Sequence, residues 1–122
     1  MKYLLLLVLL ISGTSAFAAT KTHAANFDLN YAKSLAAKAV ECAQKNNWKI
    51  SIAIVNSEGN LLYFERNDDS FSGSIEAAIQ KAKSANAFQR PTSAFVDGIK
   101  QGRIGLVTVK DVVAMEGGVP IS

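Results

Sequence analysis

The side chains that most often perform chemistry are scarce in this chain, and their positions narrow what it can do. His23 is the only histidine and Cys42 the only cysteine. With no histidine beyond position 23, neither a Ser-His nor a Cys-His pair can be assembled within a folded region. The cysteine and histidine sets that hold zinc are missing as well. No glycine-rich phosphate loop follows a strand pattern. Glu65, Asp68 and Asp69 can gather around a cation, but beside Asn67 and Ser70 they read better as an exposed acidic turn. Arg66, Arg90 and Arg103 stand apart among acidic residues, and no basic run is interleaved with aromatics, which argues against nucleic-acid binding. No catalytic residue is assigned, a metal ligand set stays unknown, and the balance leans away from an enzyme.

The first residues explain where His23 falls. Met1-Lys2 supplies a positive charge, Tyr3 to Ile11 is unbroken apolar sequence, and Ala16-Phe17-Ala18 gives a small-x-small cleavage pattern. This is a secretory signal peptide at residues 1–18, and its apolar run is too short to span a bilayer core of roughly 30 Å. Cleavage leaves no stable membrane span, places the mature protein in the periplasm or outside the cell, and lowers the formal net charge of +3 by one, through loss of Lys2. Residues 19–27 are small and polar, a disordered leader that contains His23. About a hundred residues remain, enough for one small domain at 28–122. A single cysteine in an exported chain offers no internal disulfide, so packing must hold the fold. Cys42 itself reads as a small buried helical residue; the other reading is a reactive or intermolecular thiol.

The elements follow from periodicity. Asp28 or Asn30 can cap a helix running to about Lys45, with Ala32, Leu35, Ala36, Ala39, Val40 and Ala43 on one face. Ile50, Ile52 and Ile54 alternate with Ser51, Ala53 and Val55, Ser57-Glu58-Gly59-Asn60 supplies a turn, and Leu61–Arg66 returns. That is a β-hairpin with apolar residues on both faces. A second helix runs from Ile75 to about Phe88, capped by Ser74 and closed by Arg90-Pro91. Thr92 or Ser93 caps a shorter one, Ala94–Lys100. Leu106–Val109 is a weak strand candidate, and Gly117-Gly118-Val119-Pro120-Ile121 reads as a turn leading into a strand. The expected fold class is α+β, a central antiparallel sheet with helices packed on it, in the order α-β-β-α-α-β.

Within this order, Ser51–Val55, Gly59, Leu61, Arg66, Ser74, Ala78, Lys81-Ala82, Ala85, Phe88, Pro91-Thr92-Ser93 and Gly117–Ile121 form a pattern that resembles the haem-binding, GlcG-like family, whose members are often described as haem-degrading. The resemblance covers about Leu29 to Ile121. It implies a small-molecule ligand, haem or a related tetrapyrrole, and homo-oligomers, octamers included; haem degradation follows from the resemblance alone. It also implies a further turn, strand and helix after "GGVPI", so the sequence ending at Ser122 is expected to leave the sheet incomplete. Haem requires an apolar slot, a group facing the iron and cations for its propionates. The Ile75–Phe88 helix, with Lys81, Ser84 and Phe88, and the turn Arg90-Pro91-Thr92-Ser93 can supply an apolar wall, a guanidinium and free amides. Ser84 and Thr92 match hydroxyl positions of the family pattern, although Thr92 also reads as a plain helix cap. His23, Met115 and Tyr31 are stronger iron donors by type. The alternative function is an oligomeric accessory or structural protein without a ligand, the alanine-rich helix serving as an interface.

Overall fold

The computed structural model describes residues 27–121. Residues 1–26, on which the expected signal peptide, most of the expected leader and His23 fall, lie outside the described residues. The elements are α1 (Leu29–Lys45), β1 (Ser51–Val55), β2 (Leu61–Arg66), α2 (Gly73–Phe88), α3 (Ser93–Lys100) and a 3-10 turn (Ile104–Thr108). The class is α+β, as expected.

Helix α1 begins where its cap dictates. The Asp28 side chain accepts a hydrogen bond from the Tyr31 amide at 2.9 Å, satisfying one of the donors a helix start leaves open. Ala32, Ala36 and Ala43 are its buried residues. Cys42 is exposed, which corrects the expectation of a buried thiol. At about 100° per residue, position 42 lies roughly 100° from the line through 32, 36 and 43, so the stripe passes it by.

The hairpin forms as its alternation predicts. Strands β1 and β2 pair antiparallel, with Ser51 opposite Arg66, Ala53 opposite Phe64 and Ile54 opposite Tyr63, and a bulge lies between Ile54 and Val55. Asn56 organises the turn: its Oδ1 accepts from the amides of Glu58 (3.1 Å) and Asn60 (2.9 Å). Gly59 takes φ +82°, a conformation that costs glycine little.

Helices cover both faces of this ribbon. Ile52 and Ile54 point toward α1, where Ile54 joins Ala32 and Ala36 in the core, with Leu35, Leu62 and Tyr63 packed around it. Successive strand residues face opposite ways. Ser51 therefore faces α2, and its hydroxyl lies 2.7 Å from that of Ser74. This bond displaces the expected cap: Ser72 occupies the N-cap of α2 without a side-chain bond, and Ser74 is buried inside the first turn. The helix ends at Gln89 in a left-handed conformation, with the Arg90 amide bonded back to the Ala85 carbonyl.

The last element of the expected order is not a strand. Residues 104–108 wind into a 3-10 turn, in which the Leu106 amide bonds the Arg103 carbonyl at 3.1 Å and the Thr108 hydroxyl bonds the Gly105 carbonyl at 2.8 Å. Val107 and Val109 favour extended backbone, but among the described residues the only ladder joins β1 to β2. Without a partner strand, short-range bonds win. Residues 118–121 are likewise irregular. No described helix is long and apolar enough to cross a membrane.

Candidate functional site

Lys81, Ser84 and Phe88 follow one another at helical spacing along α2, so they share a face. The turn after α2 carries Arg90, Thr92 and Ser93 to the same end of the molecule, where Phe88 meets the buried Phe95 edge-on at 5.3 Å. The structure thus brings the expected residues together, but their polar groups face different partners.

Ser84 and Thr92 are fully buried. The Ser84 hydroxyl accepts a bond from the Val113 amide at 3.1 Å. The Thr92 hydroxyl accepts from the Gly118 amide at 2.9 Å and reaches the Gly118 carbonyl at 3.4 Å, which also receives the Thr92 amide at 2.9 Å. The Lys81 ammonium donates to the Glu116 carbonyl at 3.1 Å. Four groups on α2 and the α3 start therefore hold residues 113–118 against the helices. Sequence reasoning placed the Gly117-Gly118 pair in the family pattern without seeing that it docks there. The signal lay in the glycine: a Cβ on Gly118 would stand 2.5 Å from the Lys81 carbonyl oxygen and 2.7 Å from Thr92 Cγ2.

Two local expectations change. Thr92 occupies the N-cap position of α3, yet its side chain does not cap that helix. Three amides at the α3 start are also taken, since those of Thr92, Ala94 and Phe95 bond the carbonyls of Gly118, Pro91 and Thr92. The outward groups of this face are the exposed Arg90 guanidinium, whose Nε bonds the Phe88 carbonyl at 3.4 Å, together with half-buried Lys81, Phe88 and Ser93.

Of the donors named by type, Met115 reaches this region. It is 53% exposed and lies between Val113, held by Ser84, and Glu116, held by Lys81. Tyr31 does not: it sits at the start of α1, edge-on to Phe27 at 5.4 Å, across the sheet from α2. No group of three histidine, cysteine, aspartate or glutamate side chains among the described residues is placed to hold a metal ion. Asp69 instead pairs with Lys49 at 3.2 Å.

These elements and this docked glycine loop define an α+β module of a recognisable kind. A family model described as "Haem degrading protein HbpS-like" matches residues 27–122, and the chain belongs to that family. It is 36% identical over 90 residues to Protein GlcG of Escherichia coli K12, a match covering 74% of this chain and 67% of GlcG. Among solved structures, it resembles Klebsiella pneumoniae protein ORFY with a TM-score of 0.71 and 26% identity, over 77% of this chain and 68% of that one. A double mutant of Streptomyces reticuli HbpS superimposes with a TM-score of 0.69 at 31% identity, over 77% of this chain and 64% of HbpS.

Proposed function

We propose that this protein is an exported domain, secreted or periplasmic, that binds haem or a related tetrapyrrole. Residues 28–122 would form the binding domain behind the signal peptide and leader, assembling with copies of itself. The observation that carries this reading is membership of a family described by haem.

The face built by α2 and the turn after it suits such a ligand in part. Lys81 and Arg90 supply cations for propionate carboxylates, and Ser93 a further hydrogen-bond donor. Phe88 offers an aromatic wall, and Met115 a thioether of a type that ligates haem iron. Ser84 and Thr92 act from behind, by fixing the segment that carries Met115. The proposed role is binding. When bound, haem would supply the iron and its redox chemistry; the chain supplies the cations, the wall and the position of the thioether.

A haemin titration followed at the Soret band tests this. Saturable binding is expected, weakened about tenfold by Arg90→Ala, the equivalent of one charge-assisted hydrogen bond of roughly 1.4 kcal/mol. Absence of a Soret change with protein that is folded by circular dichroism rejects the reading. The rival, an oligomeric accessory protein without a ligand, rests on the exposed apolar residues of the C-terminal region, which include Ile104, Val107 and Val119.

A further inference from the structure

On the opposite side of the sheet, a groove of about 120 Å³ opens between the last turns of α1 and the open end of the hairpin. Val40, Ile50 and Ile52 form its apolar floor, Trp48 one wall, and Glu65 and Asn67 its polar rim. Trp48 is 57% exposed, unusual for the largest apolar side chain of a small domain.

The charges around the groove are unequally matched. The two neighbouring lysines are engaged elsewhere: Lys45 pairs with Glu41 at 2.6 Å and Lys49 with Asp69 at 3.2 Å. Among the described residues no cation pairs with Glu65. Its one side-chain partner is the Tyr63 hydroxyl, which donates to Oε2 at 2.8 Å. That bond and the carboxylate's charge hold the Tyr63 phenol above its ordinary pKa. A half-buried carboxylate with capacity for further donors thus stands in one groove with an apolar floor and the Trp48 side chain.

We infer that this groove is a binding site for a short alkylammonium ion, the apolar stem lying on Val40, Ile50 and Ile52 and the cation meeting Glu65 and the Trp48 ring. An indole face attracts a cation within about 6 Å of its centre. The carboxylate adds a charge-assisted bond. The volume suits a ligand of a few heavy atoms and falls short of the roughly 300 Å³ at which sites for larger ligands begin. This site is separate from the haem face and stands or falls without it.

Trp48 is the only tryptophan, so its indole N–H resonance and its fluorescence report on this groove alone. The full chain, labelled with nitrogen-15, is titrated with n-butylammonium chloride and, separately, with n-butanol. A saturable shift of the Trp48 indole signal is expected, with a dissociation constant of roughly millimolar size for so small a ligand. n-Butanol binds at least tenfold more weakly. Glu65→Gln, which keeps an acceptor for Tyr63, reduces the ammonium response to that of the alcohol. Equal responses to both probes, an ammonium response that survives in Glu65→Gln, or no shift in protein whose spectrum is dispersed would each overturn the inference. Haemin binding, measured in the same Glu65→Gln protein, stays unchanged.

Discussion

Replacing the Thr92 hydroxyl with a methyl group removes the acceptor for the buried Gly118 amide while leaving the side-chain volume nearly constant. A buried donor without a partner costs about 1–3 kcal/mol. Thr92→Val is therefore expected to lower unfolding stability by that amount in a urea titration, while Thr92→Ser, which keeps the oxygen, loses well under half of it. A cap role predicts otherwise, since the Thr92 side chain makes no bond to the α3 amides and a cap substitution would act only through that helix. Equal stability of the valine and serine variants would sink the assignment. The same comparison bears on the proposed haem face. If Thr92 fixes Met115 from a distance, Thr92→Val weakens haemin binding only to the extent that residues 113–118 loosen, whereas a direct ligand role of the hydroxyl would cost affinity in Thr92→Val without that loosening.

Two glycines separate the ways in which an element constrains its sequence. Gly59 has φ +82°, but a Cβ there meets nothing closer than the Asn86 amide nitrogen at 3.6 Å, an ordinary contact. Gly59→Ala should cost about 1 kcal/mol, all of it from the left-handed backbone. Gly118→Ala places its Cβ against a helix carbonyl and a buried methyl, where overpacking costs about 1–3 kcal/mol. Hydrogen exchange distinguishes them: the alanine at 118 loosens the Val113 and Gly118 amides and leaves the hairpin protected, and the alanine at 59 does the reverse. Loss of protection throughout in both variants would show that the two regions are one unit. The hairpin was legible because its signals agree: period-two apolar residues, a Ser-Glu-Gly-Asn turn and a returning apolar strand. Residues 106–109 were not, because valine and threonine report a preference for extended backbone and say nothing about whether a partner strand exists. The start of α2 was misplaced by two residues for a similar reason. Ser74 has the chemistry of a cap, but Ser51, 23 residues away in sequence, captured its hydroxyl. The candidate face was legible as a set of residues and not as contacts, since the docking of residues 113–118 depends on bonds spanning 26 to 35 residues.

At the scale of the molecule, the distribution of apolar surface is uneven. Among the described residues twelve large hydrophobic side chains are exposed, and six of them fall between Ile104 and Ile121, among them Ile104 at 71% and Val107 at 68%. Single exposed apolar residues are normal on any protein, but a concentration of them in one segment marks a surface that gains by being covered. The buried core of the described residues meanwhile is made largely of alanines, with Ile54 and Phe95 its only large members. A fold so sparing of core volume gains stability by association, and the gain grows with protein concentration. The proposed self-assembly then has a direct measurement. Static light scattering is expected to give a mass above that of one chain at micromolar concentration, and Val107→Lys should lower it, because burying an unpaired ammonium in an apolar interface is costly. A monomer mass at all concentrations, in protein with cooperative thermal unfolding, would remove self-assembly from the proposal. It would leave the proposed haem face standing on α2 and its turn alone, where the Arg90 and Met115 side chains are already exposed in the single chain.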